Sequence, residues 1–191
     1  MNTGNTPGEK PTRRQLQMLW PESRLSSPPD VKIPSGYELR TLRDGEEDAY
    51  VALLHGAGFM NWTRTMLAEW QQRVLPGGLF VIEHTPSHRL VATAMATRNP
   101  TEQHPHGGEL GWVAADPAHS GNRLGEAVSA AVVAHYLRMG YRRIYLKTDD
   151  FRLPAIRIYL RLGFEPLEDD ESMPGRWRVI RETLETRKQG A

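Results

Sequence analysis

The chain has 191 residues, enough for one substantial core and short for two. With 39% hydrophobic and 25% charged residues and a formal net charge of +1, it is an ordinary globular composition, not a nucleic-acid binder built on bulk positive charge. Cysteine is absent, which excludes disulfides, a thiolate metal site and an acyl-enzyme formed on sulfur; it fits the reducing cytoplasm, where the protein is expected.

The first 14 residues are polar and rich in Gly, Pro and Thr and read as a disordered tail. They contain no apolar h-region, so no secretory signal is expected, and no stretch approaches the ~20 apolar residues of a membrane span. Residues 15–35 read as an arm and linker: a short apolar patch (Leu16, Met18, Leu19, Trp20), then a Pro/Ser-rich connector. The folded domain is expected over residues 36–185. Tyr37 to Leu42 alternates like a half-buried strand. Asp44 with Glu47 reads as a capping box opening a helix that Gly56 and Gly58 close. Thr63 to Leu75 reads as a second helix, stopped by Pro76-Gly77-Gly78. Leu79–His84 and Leu90–Thr97 read as a hairpin, and Leu110–Ala115 as the next strand. Arg123 to Met139 is a long amphipathic helix, with Leu124, Val128, Val132, Tyr136 and Met139 stepping by three or four. Arg142–Thr148 reads as a buried strand. Pro154–Leu162 follows as a helix whose core face is Leu153, Ile156 and Leu160, with Tyr159 beside it. Gly163–Leu167 and Arg176–Ile180 read as the last strands. This order predicts an α+β fold: a mixed central sheet of about six to seven strands flanked by helices.

Chemistry concentrates in two segments. In Trp112–Ala127 a strand ends at an Asp-Pro turn, and a short polar loop (Ser120, Gly121, Asn122, Arg123) leads into a helix that opens with Leu124 and Gly125. Backbone N–H groups at a helix start lack intrahelical partners and, with the helix dipole, attract anions. Gly121 lets the backbone approach a phosphate closely. The segment reads either as a pyrophosphate cradle or as a plain strand–turn–helix connection. The second segment is Tyr145 to Phe164; its helix carries Ala155-Ile156-Arg157-Ile158-Tyr159-Leu160-Arg161-Leu162-Gly163-Phe164, and the Leu-Gly-Phe tail turns the chain directly into a strand.

Together these segments resemble the two central motifs of the GNAT N-acetyltransferases: a loop of the form Arg/Gln-x-x-Gly-x-Gly/Ala, then Ala-Ile-x-x-Tyr-x-x-x-Gly-Phe. The second motif is matched in full, and the resemblance spans about Gly36 to Ile180. It implies that acetyl-CoA is the co-substrate, with no metal, and that an amine attacks the thioester directly. It implies that Tyr159 protonates the departing thiolate and that a backbone N–H at Val113, Ala114 or Ala115 holds the oxyanion. Two departures stand out: Ser120 replaces Arg or Gln, and Arg123 replaces the second-motif Gly. Either the Arg123 guanidinium reaches a CoA phosphate, or the CoA site is weakened. Arg152 stands where many relatives carry an Asn that touches the pantetheine arm.

Glu109, at the start of the central strand, is the candidate base; by period two Gly111, Val113 and Ala115 share its face. It reads equally as a solvated strand-end carboxylate. Tyr159 reads alternatively as a core tyrosine. His104 and His106 read as a loop pair rather than a metal pair, His119 as an exposed loop residue with a phosphate contact as the alternative, and His135 as a helix-surface or core-edge residue. Trp62, Trp70 and Trp112 are either core or an acceptor pocket. The expected acceptor is a small-molecule amine or a peptide amine; a non-catalytic acyl-CoA-binding module is the alternative. No nucleic acid or membrane is expected as a partner. The Trp20 patch and the strand at Arg176–Ile180 are the candidate homodimer surfaces.

Overall fold

The structure is a computed structural model that describes residues 13–189, the side chains of 187–189 excepted. The tail expected over residues 1–14 therefore lies, up to residue 12, outside the described residues. The strands are β1 (Leu16–Leu19), β2 (Tyr37–Thr41), β3 (Val74–His84), β4 (Arg89–Arg98), β5 (Gly108–Ala115), β6 (Ile144–Thr148) and β7 (Glu165–Leu167). The helices are α1 (Glu47–Gly56), α2 (Arg64–Gln71), α3 (Leu124–Arg138), α4 (Leu153–Leu162) and α5 (Met173–Gln189). The strands form one sheet in the order β2-β3-β4-β5-β6-β1-β7. Only β5 and β6 pair in parallel; the other neighbours are antiparallel, so the sheet is mixed and the fold α+β.

Two cores flank the sheet. On one face α3 packs across β3, β4 and β5, with α4 beside it. On the other, α1 and α2 cover Leu79, Val81, Met95 and Ala114. Helix α3 is buried almost all round because α4 packs on its outer side; Gly125 permits this, since a Cβ there would stand 3.2 Å from Ile158. Met139, expected on its core stripe, is 49% exposed.

The apolar patch expected as an arm is strand β1, inserted between β6 and β7 and antiparallel to both. Leu16 and Met18 are fully buried, and Trp20 packs edge-on against Phe164 at 5.4 Å. The patch shows no polar alternation because both faces of this strand are covered, Gln17 included. Trp20 is thus part of the chain's own core rather than a surface for self-association. The strand expected at Arg176–Ile180 is the middle of helix α5. The buried set is Met173, Arg176, Trp177 and Ile180, a helical spacing of three and four.

Smaller corrections follow from local chemistry. Helix α1 is not capped by Asp44; Glu46 occupies the N-cap, and its carboxylate accepts from the Arg43 N–H at 2.9 Å and pairs with Arg40. Thr63 caps α2 by accepting from Met66 N–H, but that helix stops at Gln71. Pro76-Gly77-Gly78 lies inside β3 at a register shift, where Gly77 takes φ +67°. In α4 the buried stripe is Ile156, Tyr159 and Leu162, so Tyr159 belongs to the inward face and Leu153 and Leu160 flank it.

Candidate active site

Strands β5 and β6 share only the pairs Gly108–Ile144 and Glu109–Tyr145, then diverge. Two devices open them. At the pivot, Gly108 N–H donates to Arg143 O, and the ring of Tyr136 fills the space a side chain would take. Further along, Trp112 and Val113 together oppose Ala94: Thr93 pairs with Ala114 and Met95 with Gly111. This is a β-bulge, and Trp112 sits at its left-handed position with φ +52°. The bulge reverses the alternation. Leu110 packs in the α3 core while Trp112 and Ala114 pack toward α1 and α2. Glu109 and Gly111 therefore do not share a face with Val113 and Ala115, contrary to the period-two expectation.

Beyond the bulge, β5 runs into a turn that Asp116 pins by accepting from Ala118 N–H at 2.9 Å. Gly121 (φ +88°) and Arg123 (φ +56°) then bring the chain into α3. Among the described residues, no backbone N–H from Gly121 to Gly125 has a hydrogen-bond partner, and α3 has no side-chain cap. Consecutive unpaired donors at a helix start form an anion cradle. Arg123 holds a left-handed conformation that costs a non-glycine residue about 1 kcal/mol. Its side chain turns to Glu126, which also pairs with Arg161, so the guanidinium rests on a carboxylate at the edge of the cradle. Ser120 is exposed at the outer end of the loop.

The splayed strands frame a cleft of about 290 Å³. Its floor includes Gly111, Val113 and Tyr159; Glu109, Lys147 and Asp149 line one side, and Phe59, Trp70 and Trp112 the other. Tyr159 is 6% exposed, and its hydroxyl has no hydrogen bond to another described residue. Burial pushes that hydroxyl well above the ordinary tyrosine range, against the opposing pull of Arg152. Glu109 Oε2 accepts from the Asn99 amide and stands 3.2 Å from the Tyr145 hydroxyl, which donates to Asn99 O at 2.5 Å. Arg152 is the N-cap residue of α4, but its side chain makes no capping bond. Its Nε bonds Asp149 at 3.2 Å, and its guanidinium lies 4.6 Å from the Phe59 centroid. A second hollow, about 430 Å³, lies under the Pro29–Pro34 connector and touches the cradle at Asn122 and Arg123. It contains none of Glu109, Trp112 or Tyr159, all of which line the inner cleft.

The predicted loop follows the end of β5, and Tyr159, on α4, lines the cleft where β5 and β6 part. Trp70 and Trp112 line the cleft, whereas Trp62 is 3% exposed behind Trp112. Asn99, Tyr145, Lys147 and Gln15 were missed. Gln15 comes from just before β1, outside any motif; Tyr145 and Lys147 stand at the head of the second segment, where the sequence assigns them no role.

His104 is fully buried and stacked on Tyr145 at 4.2 Å. Its Nδ1 accepts from Arg143 Nε at 3.1 Å, which leaves Nε2 to donate to Gln17 at 2.9 Å. Burial, with Arg143 and Lys147 nearby, pushes its pKa down from 6.5 to about 4. Between these values the unfolded chain binds a proton that the folded chain refuses, so stability falls as pH drops from 6.5 toward 4. We expect the thermal midpoint to decline over this window, and His104→Asn to decline less. Equal slopes would remove His104 from the account. His135, beside Phe80, is lowered also by burial, which is why the comparison is with the variant.

Solved structures share this fold. A GCN5-related N-acetyltransferase from Sphaerobacter thermophilus superposes with TM-score 0.63 at 23% identity, over 81% of this chain and 50% of that one. The yncA protein of Salmonella typhimurium, solved with its cofactor acetyl-CoA, gives 0.58 at 17% identity, over 69% and 80%. The model of the acetyltransferase (GNAT) family matches residues 39–164, and the chain belongs to that family of acyltransferase enzymes. Mycothiol acetyltransferases are similar in sequence: that of Nocardia farcinica is 29% identical over 82% of this chain and 55% of its own length. That of Rhodococcus erythropolis is 30% identical over 83% and 56%. The chain spans about half the length of these relatives.

Proposed function

We propose that the protein transfers the acetyl group of acetyl-CoA to a primary amine of a small molecule held in the inner cleft. The observation that carries this reading is the two-pair junction of β5 and β6. It opens a slot with a phosphate cradle at one end and a buried tyrosine at the other. The pyrophosphate sits on the free N–H groups of Gly121 to Gly125, with the exposed Ser120 and Asn122 at the rim. The pantetheine arm adds along the unpaired edge of β5, past Val113, Ala114 and Ala115, and the thioester reaches the bulge.

There the amine nitrogen attacks the thioester carbonyl. A backbone N–H of the bulged strand faces the oxyanion. Glu109, through water, takes the amine proton. The C–S bond breaks, and Tyr159, kept protonated by burial, gives its proton to the thiolate. The products are the N-acetylated amine and free CoA thiol, and bulk water returns the tyrosine proton. Arg152 pairs with the Asp149 carboxylate and lies against the aromatic wall of the cleft, where it contacts the arm or the acceptor.

The test is a screen of primary amines with acetyl-CoA, following both free thiol and acetylated amine. The reading requires one-to-one stoichiometry above the hydrolytic background. Thiol release without acetylated amine would make the protein a thioesterase, and tight acetyl-CoA binding with no release would make it a non-catalytic module.

A further inference from the structure

Resting on the transfer reading above, we infer that the acceptor is an aromatic amino acid: an amine with a carboxylate beside it and an aromatic body. Three features of the cleft point there. The first is its aromatic wall. Trp112 is wedged edge-on among Trp62 (4.6 Å), Trp70 (5.2 Å) and Phe59 (5.7 Å), a rigid set in which Phe59 and Trp70 stay half exposed. The Arg152 guanidinium lies 4.6 Å from the Phe59 ring and 5.5 Å from that of Phe151, which is 76% exposed. A polyol or polyamine would leave this apolar surface wet, whereas an aromatic ring covers it.

The second feature is charge. Asp149 is neutralised by Arg152 and takes a further bond from Gln15 at 3.0 Å. Lys147 lines the same cleft half buried, and no carboxylate of the described residues lies within ion-pairing distance of it. Its Nζ stands 5.6 Å above the ring of Tyr145, whose hydroxyl is 3.2 Å from Glu109. A cation and a carboxylate thus flank one ring, a spacing that suits the carboxylate and amine of one α-amino acid. The ammonium faces Glu109 on arrival, and the substrate carboxylate supplies the counter-charge that Lys147 lacks. The third feature is size. At about 290 Å³ the cleft sits at the low end of small-molecule pockets, large enough for a single residue with a ring and small for a peptide segment.

The experiment compares initial rates of thiol release with acetyl-CoA and six acceptors: L-phenylalanine, L-tryptophan, their decarboxylated forms phenethylamine and tryptamine, glucosamine, and putrescine. The amino acids should show the highest kcat/KM, at least about tenfold above their decarboxylated forms. Lys147→Met should reduce that ratio to near one, and Lys147→Arg should restore most of it. Acetyl-CoA titration of each variant verifies that the co-substrate site is intact. Equal or faster reaction of the decarboxylated amines, of glucosamine or of putrescine overturns the inference and leaves acetyl transfer standing. An unchanged ratio in Lys147→Met does the same. No release with any amine, while acetyl-CoA still binds, overturns the transfer reading itself and the inference with it.

Discussion

Tyr159→Phe is expected to lower kcat by roughly a hundredfold or more while leaving acetyl-CoA affinity within about twofold, the pattern for loss of a proton transfer made late in the reaction. The exchange removes one atom from a side chain that is 6% exposed. That atom has no partner among the described residues, so no fold contact is lost with it. The ring remains to pack against Phe164 at 6.1 Å. Thermal stability should therefore be unchanged or slightly raised, because a desolvated hydroxyl has been deleted. This separation is what makes the variant informative: a structural tyrosine would show in the melting curve and not in turnover. Acceptors should suffer alike, since the proton goes to the CoA thiolate common to all of them. Unchanged kcat would return Tyr159 to the core.

Gly108→Ala is expected to destabilise the fold by about 1–3 kcal/mol, the cost of overpacking a filled site. A domain of this size should lose about 2–4 °C of melting temperature per kcal/mol. The added Cβ would fall within the ring of Tyr136, which is fully buried and cannot swing away freely. Its hydroxyl stands 2.8 Å from Thr97 O and 2.7 Å from Glu109 O, joining β4 to β5 from beneath. Displacing the ring would loosen the carbonyl of Glu109 and the junction at which β5 and β6 part. Activity should fall even below the melting transition. Urea unfolding of the single variant and of Gly108→Ala with Tyr136→Leu checks this; the smaller ring site should recover part of the loss. Wild-type stability in the single variant would show that the pivot yields without cost.

The α+β class, the hairpin of β3 and β4, and helices α3 and α4 could be read from periodicity and punctuation. Each is long, strongly patterned and bounded by Gly or Pro, as Gly140 and Gly163 bound α3 and α4. What escaped the sequence was decided by tertiary partners. Leu16–Leu19 becomes a strand because β6 and β7 leave a gap that it fills, and both its faces are covered. Arg176–Ile180 is helical because Trp177 is buried and Arg176 meets Asp150, a pairing that spans a loop and another helix. The bulge at Trp112 could not be foreseen, since no glycine marks its left-handed residue.

The site was legible to a similar degree. The cradle and Tyr159 stand in contiguous motifs, so their places followed once the elements did. Glu109 lies in the cleft, but the reasoning that put Val113 and Ala115 on its face failed at the bulge. Gln15, Asn99 and Lys147 reach it from three separate segments, and Tyr145, two residues before Lys147 on β6, meets Glu109; only that last pair shares a local pattern. Arg123 illustrates a departure whose outcome depended on a neighbour. With Glu126 three residues on and Arg161 across from it, the guanidinium is held at the rim of the cradle.

Calorimetric titration of acetyl-CoA into the protein, in parallel with Gly121→Val, tests the central claim that the splayed sheet is an acetyl-CoA site. Valine at Gly121 would have to hold φ +88°, which a β-branched residue resists, yet its Cβ would meet nothing within 4 Å, so the core is spared. The account predicts one site per chain, with a dissociation constant on the order of micromolar, about −8 kcal/mol. It predicts weakening of at least about tenfold in a variant that still folds, with its melting temperature lowered by only the few degrees that left-handed strain costs. No heat of binding in the wild type, or equal affinity in both proteins, would contradict it.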